Sequence, residues 1–198
     1  MTYYYMPGAT VVGITFKDGV ILVAEKRVSY GNYIVSKSGK KIFKITDNVG
    51  IACAGMVGDM QMLSREISLY VKLKEIEIRR KMSPSSIAKL TSVLMFERRL
   101  FPLLTQVILG GVNGKPGIFV LDPLGSVIAD EYAAVGSGAE MAIGLIETYY
   151  KPNMSEDEAK ELAIKAIKAA IQRDAASGDG VDILIITKNG IREESITF

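Results

Sequence analysis

Residues 8–27 read GATVVGITFKDGVILVAEKR, and the fold turns on how this stretch divides. Two apolar runs, 10–16 and 20–26, flank Asp18-Gly19, a dipeptide that suits a tight hairpin because it tolerates positive φ. The second run carries VILVA, apolar without alternation, which marks a strand covered on both faces. It ends in Glu25, Lys26 and Arg27, so a carboxylate and two cations gather where a buried strand stops.

Working outward, further short strands are expected at 33–36, 41–46 and 49–54. A helix is expected over 59–79, where Met60, Leu63, Ile67, Tyr70, Val71 and Ile78 keep helical spacing. Ser83-Pro84 starts a second helix, with a hydroxyl at the N-cap and proline at the first helical position. Its apolar face is Ile87, Leu90, Val93 and Leu94, and Pro102 ends it. Strands return at 105–112, 117–122, 126–129 and 131–136, followed by helices at 138–150 and 156–173. Ser155 and Glu158 form a capping box for the last helix, whose face is Ala159, Leu162, Ala163, Ala166, Ile167 and Ala170. A final hairpin, 181–187 and 191–197, turns at Asn189-Gly190. Strands in hairpin-joined blocks build antiparallel sheets, not a βαβ array. The expected class is α+β, a four-layer αββα sandwich of two mainly antiparallel sheets.

The chain of 198 residues is long enough for one domain with its own core. Lys+Arg 24 against Asp+Glu 22 leaves a net +2, which gives no reason to expect a nucleic-acid footprint or a polybasic membrane patch. No apolar run reaches the roughly 18–20 residues of a membrane span. MTYYYMPG lacks the charged and apolar regions of a secretory signal and reads as a short leader, 1–8, before a domain at 9–198. A single cysteine, Cys53, rules out an internal disulfide and suits a reducing, cytoplasmic compartment. With no histidine, His-dependent triads and His-ligated zinc sites are excluded, and no metal or cofactor is expected. Any nucleophile here must be activated by a lysine, a carboxylate or a terminal amine. GSGAEM lacks the third glycine and the βαβ setting of a dinucleotide loop, and DAASGDGVD lacks calcium-ligand spacing.

GATVVGITFKDGVILVAEKRVSYG, SKSGKKIFKI, GIACAG, YAAVGSGAEMA and QRDAASGDGVD, in one constant register from about Gly8 to Ile186, resemble the β subunits of the 20S proteasome, archaeal type. The resemblance implies the N-terminal nucleophile hydrolase sandwich and a place in stacked seven-membered rings, two β rings between two α rings. Proteasome α subunits and other β subunits would be its partners. Unfolded polypeptides would be substrates of the particle, and a regulatory ATPase would act only through the α ring. In that family a leader is cut after a glycine and the exposed threonine attacks. Carried over, the acidic residue that tunes it falls on Glu25, its basic neighbour on Arg27 and the lysine on Lys41. The oxyanion glycine falls on Gly55, and the serine and aspartate cluster on Ser137, Asp174 and Ser177.

One position departs. The residue after Gly8 is Ala9, which has no nucleophilic atom. Thr10 is the alternative nucleophile, but in a strand its side chain points to the face opposite position 9. Ala9 either belongs to a natural structural subunit working beside an active paralogue or replaces an original threonine. Val11-Val12, equally unlike the family's threonine-rich start, favours the first. The residue types allow plainer roles too: Glu25, Arg27 and Lys41 as an ion pair with a solvated lysine, Ser137 and Ser177 as turn or cap serines. Cys53 reads as a buried small hydrophobe, although its position would let it line a substrate pocket with Val28 and Val57. Met60, Met62 and Tyr70 read as core or inter-subunit packing. Tyr3, Tyr4 and Tyr5 are bulky enough to fill a vacant cleft. Three functions follow: a non-catalytic β subunit, a threonine endopeptidase using Thr10, or a stand-alone amidohydrolase of the same superfamily.

Overall fold

The computed structural model describes residues 8–198, so the leader up to residue 7, and the cleft-filling role of its tyrosines, lie outside the described residues. In chain order the elements are β1 (Thr10–Phe16), β2 (Gly19–Glu25), β3 (Val28–Tyr30), β4 (Tyr33–Ser36), β5 (Ile42–Lys44), β6 (Val49–Gly55), α1 (Val57–Ile78) and α2 (Pro84–Phe96). They continue with β7 (Thr105–Asn113), β8 (Lys115–Leu121), β9 (Val127–Asp130), β10 (Tyr132–Gly136), α3 (Ala139–Tyr149), α4 (Glu156–Ile171), β11 (Val181–Thr187) and β12 (Gly190–Ile196).

The first sheet runs β10-β1-β2-β11-β12 and the second β5-β6-β7-β8-β9, while β3 and β4 form a separate two-stranded ribbon. Every pairing is antiparallel. Helices α3 and α4 cover the first sheet, where Val12, Ile14, Ile21 and Val23 meet Ala142, Ile146, Ala163, Ala166 and Ala170. Helices α1 and α2 cover the second, where Val49, Ile51 and Val107 meet Met60, Leu63, Ile67 and Ile87. Between the sheets lie Ala9, Val11, Val20, Leu22, Ala52, Ala54, Ile108 and Leu184. This is the four-layer αββα sandwich. The unbroken VILVA run has its reason here: alternate residues feed two different cores, one under the helices and one between the sheets.

The small side chains of α4 let it sit close on the first sheet, and the capping box at Ser155 and Glu158 is formed as expected. Other details differ. The ribbon strand β3 is an addition to the expected elements, because Val28-Ser29-Tyr30 is short and ends on an exposed tyrosine. The strand expected at 41–46 shortens to Ile42–Lys44, since Thr46 turns back with Asn48. Helix α2 stops at Phe96, well before Pro102, unwinding through tight three-residue bonds from Arg98 N to Met95 O and Arg99 N to Phe96 O. Val93 and Tyr70 are exposed rather than core. On α2 the inner face goes to Ala88, Thr91, Leu94 and Met95, a rotation that apolar type alone could not choose. Among the described residues no helix is long and apolar enough to cross a membrane.

Candidate active site

The charged end of β2 turns inward. Glu25 is fully buried and takes four donors. Lys41 Nζ binds its Oε1, which also accepts Thr10 N at 3.3 Å, while Oε2 accepts Arg27 N at 2.7 Å and Gly178 N at 3.0 Å. Lys41 is equally buried and donates to Arg27 O at 2.5 Å. Glu25 belongs to the first sheet and Lys41 leads into β5 of the second, so their ion pair ties the two sheets together beside residue 9.

A second network meets the Ala9 backbone. Asp174 follows α4, and its Oδ2 accepts Ser137 Oγ at 2.5 Å and Ser177 Oγ at 2.6 Å. Ser137 Oγ accepts the Ala9 amide at 3.1 Å, and Ser137 N donates to Ala9 O at 2.8 Å. Thr10 Oγ1 shares a 2.7 Å hydrogen bond with Ser177 Oγ. Beside Gly8 there is no space for a side chain: a Cβ there would run into Ala176 and come within 2.8 Å of Ser137 Oγ. Gly55, at φ +138°, closes β6, and a Cβ on it would strike Leu104 O.

The structure thus brings together Ala9, Thr10, Glu25, Arg27, Lys41, Ser137, Asp174 and Ser177. Gly8, Arg27, Val28, Lys41, Gly55 and Val57 line a small cleft beside this cluster. Cys53 is not among these residues; strand alternation turns it with Val49 and Ile51 into the core under α1 and α2. Burial pushes its thiol up to about 12, so it supplies no thiolate. Two residues escaped the sequence reading. Asp179 binds Arg27 Nε at 2.8 Å, and Gln106 Oε1 accepts Gly136 N at 3.0 Å. The only signal for Gln106 was a polar side chain early in the apolar run TQVILGG.

Residues 6–186 match the protein family described as Proteasome subunit. The chain belongs to the proteasome subunit family. It is 58% identical over 189 residues to "Proteasome subunit beta 1" of Nitrosopumilus maritimus, covering 96% of each chain. It is 56% identical to "Proteasome subunit beta 1" of Cenarchaeum symbiosum, covering 95% of this chain and 97% of that one. It is 51% identical to "Proteasome subunit beta 2" of Pyrobaculum aerophilum, covering 96% of this chain and 94% of that one.

The electrostatics of this proteasome subunit follow from burial. Desolvation pushes the Glu25 carboxyl up and the Lys41 ammonium down. Their mutual attraction and the N–H groups on Glu25 oppose those shifts, and the Arg27 charge lowers Lys41 further. A lysine so placed can exchange a proton with a neighbour closer to neutral pH than a solvated one.

Outside this core, the Arg27 guanidinium beside Asp179 holds that carboxyl below its ordinary 3.8. A depressed acid stabilises the fold above its unfolded pKa and stops doing so as pH falls through its folded pKa. Asp179→Asn keeps a residue tolerant of the local φ of +68°. Its expected cost is about 1 kcal/mol at pH 7, shrinking as pH falls below the ordinary 3.8 and through the lowered folded pKa. Urea unfolding of both forms across pH 3–7 measures this, and a gap that widens on acidification contradicts it.

Proposed function

We propose that this chain is a β subunit of a 20S proteasome core that builds the ring without attacking peptides itself. Residues 1–8 are its leader and 9–198 its β-type domain. It assembles with α subunits and other β subunits into stacked seven-membered rings in the cytoplasm, and unfolded polypeptides are cleaved at its partners' sites. Any regulatory ATPase reaches it only through the α ring.

The observation that carries this reading is Ala9. Its methyl is fully buried between the sheets, flanked by the Glu25–Lys41 pair and the Ser137–Asp174–Ser177 network. Such surroundings suit activation of a hydroxyl at that position, and alanine has none. The Thr10 alternative is disfavoured because its hydroxyl is fully buried, bonded to Ser177, and packed on the helix side against Gly138. A stand-alone amidohydrolase is disfavoured by near full-length likeness to chains named as proteasome β subunits.

Intact mass and N-terminal sequencing of the chain from native particles test it. The expected result is an uncut Gly8–Ala9 bond and no adduct with a threonine-directed electrophile such as a peptide epoxyketone. An N-terminus at Thr10 with an adduct on that residue overturns the proposal.

A further inference from the structure

Two polar ties join the sheets around residue 9. One is the Glu25–Lys41 ion pair. The other is the hydrogen bond from Gly136 N, at the end of β10 in the first sheet, to Gln106 Oε1, on β7 in the second. Gln106 pairs in register with Ala54, directly before Gly55 on β6. Gly136, at φ +101°, fits tightly among the same groups: a Cβ there would strike Ala9 O and approach the Ala54 Cβ to 2.9 Å. The next residue, Ser137, binds both the amide and the carbonyl of Ala9.

We propose that Gln106 is a positioning residue of this site. Its Oε1 holds the Gly136–Ser137 turn against the second sheet and so sets where the position-9 side chain stands relative to the Gly55 backbone amide. Without that acceptor, β10 is an edge strand whose Gly136 N–H has lost its partner, and the turn carrying Ser137 is free to drift. Displacements of about 1 Å at an attack site cost about 10²-fold in rate, which makes a remote strut consequential. This rests on the reading of position 9 as the attack position and Gly55 as the oxyanion donor.

The test compares Gln106→Met, similar in length but without the oxygen acceptor, with Gln106→Glu, which keeps Oε1. Gln106→Asn, too short to reach, stands in for Gln106→Met if that variant does not assemble. In particles carrying Ala9→Thr, Gln106→Met is expected to lower kcat for peptide cleavage about 10-fold or more at nearly constant KM, with Gln106→Glu restoring it. In particles with Ala9 kept, hydrogen exchange of the 135–138 amides is expected to quicken about 10-fold in Gln106→Met and not in Gln106→Glu. Equal kcat in all three, or a loss not rescued by glutamate, overturns the proposal. If Ala9→Thr particles cleave nothing, the attack-site reading fails on its own. The exchange arm then decides Gln106: unchanged exchange in Gln106→Met overturns its positioning role, and selective quickening supports it.

Discussion

Particles assembled with Ala9→Thr are expected to remove residues 1–8 and to gain peptide cleavage at position 9. A hydroxyl on the position-9 side chain starts from the Ala9 Cβ, which lies in the core between the sheets. Glu25 Oε1 sits on the adjacent Thr10 amide and holds the Lys41 ammonium. The Ala9 amide already donates to Ser137 Oγ, whose own proton goes to Asp174. Once the peptide bond after Gly8 breaks in that variant, the position-9 nitrogen becomes a free amine beside the same serine. Supplying a missing nucleophile to a preorganised site is worth about 10³-fold or more in rate, because the surrounding groups accomplish little without it. The readouts are the chain's N-terminus and the turnover of a fluorogenic peptide, with the partner β sites blocked. An uncut leader in assembled particles would mean a second defect in the site.

The second large effect is on stability. Lys41→Met should destabilise the subunit by about 3–5 kcal/mol, because it strands the Glu25 carboxylate at full burial. Peptide cleavage by whole particles, per assembled particle, should remain nearly unchanged if this subunit's own site is silent. The loss has a pH signature. Burial already pushes the Glu25 carboxyl up, and removing the cation that opposes this pushes it further. A raised acid makes the folded state bind more protons than the unfolded one above pH 4.5, so stability falls as pH rises through that window. The Lys41→Met deficit is therefore largest near neutral pH and shrinks on acidification. Adding Glu25→Gln should recover part of it, since a neutral amide can still accept the Arg27 and Gly178 amides. Chemical denaturation of Lys41→Met, Glu25→Gln and the double variant between pH 4.5 and 7.5 checks both points. Additive losses in the double variant would mean that the two side chains are not coupled.

Much of this was legible in the residues. Asp18-Gly19, Asn189-Gly190 and the Ser155–Glu158 box are local signals whose geometry depends on a few neighbouring atoms. The run of alanines on α4 announced a closely packed layer. Helix rotation was harder. Val93 and Tyr70 are apolar, yet they lie outside the core, because which arc of a helix faces inward depends on the sheet beneath it. The facing of Cys53 was open for a related reason: a strand with apolar residues on both faces does not announce which one meets the helices.

The sequence by itself determined the four-layer order of elements, the missing hydroxyl at position 9, and the cluster of residue types that the resemblance assembled around it. These rest on spacing and chemical type, which are properties of the chain read one residue at a time. Only the tertiary structure decided that Glu25 and Lys41 meet under full burial, that Thr10 turns to Ser177 on the helix side, and that Gln106 reaches Gly136 across the sandwich. Each is a contact between strands far apart in the chain. Such contacts exist only once two sheets have packed, because the gap between the sheets is set by all the side chains filling it.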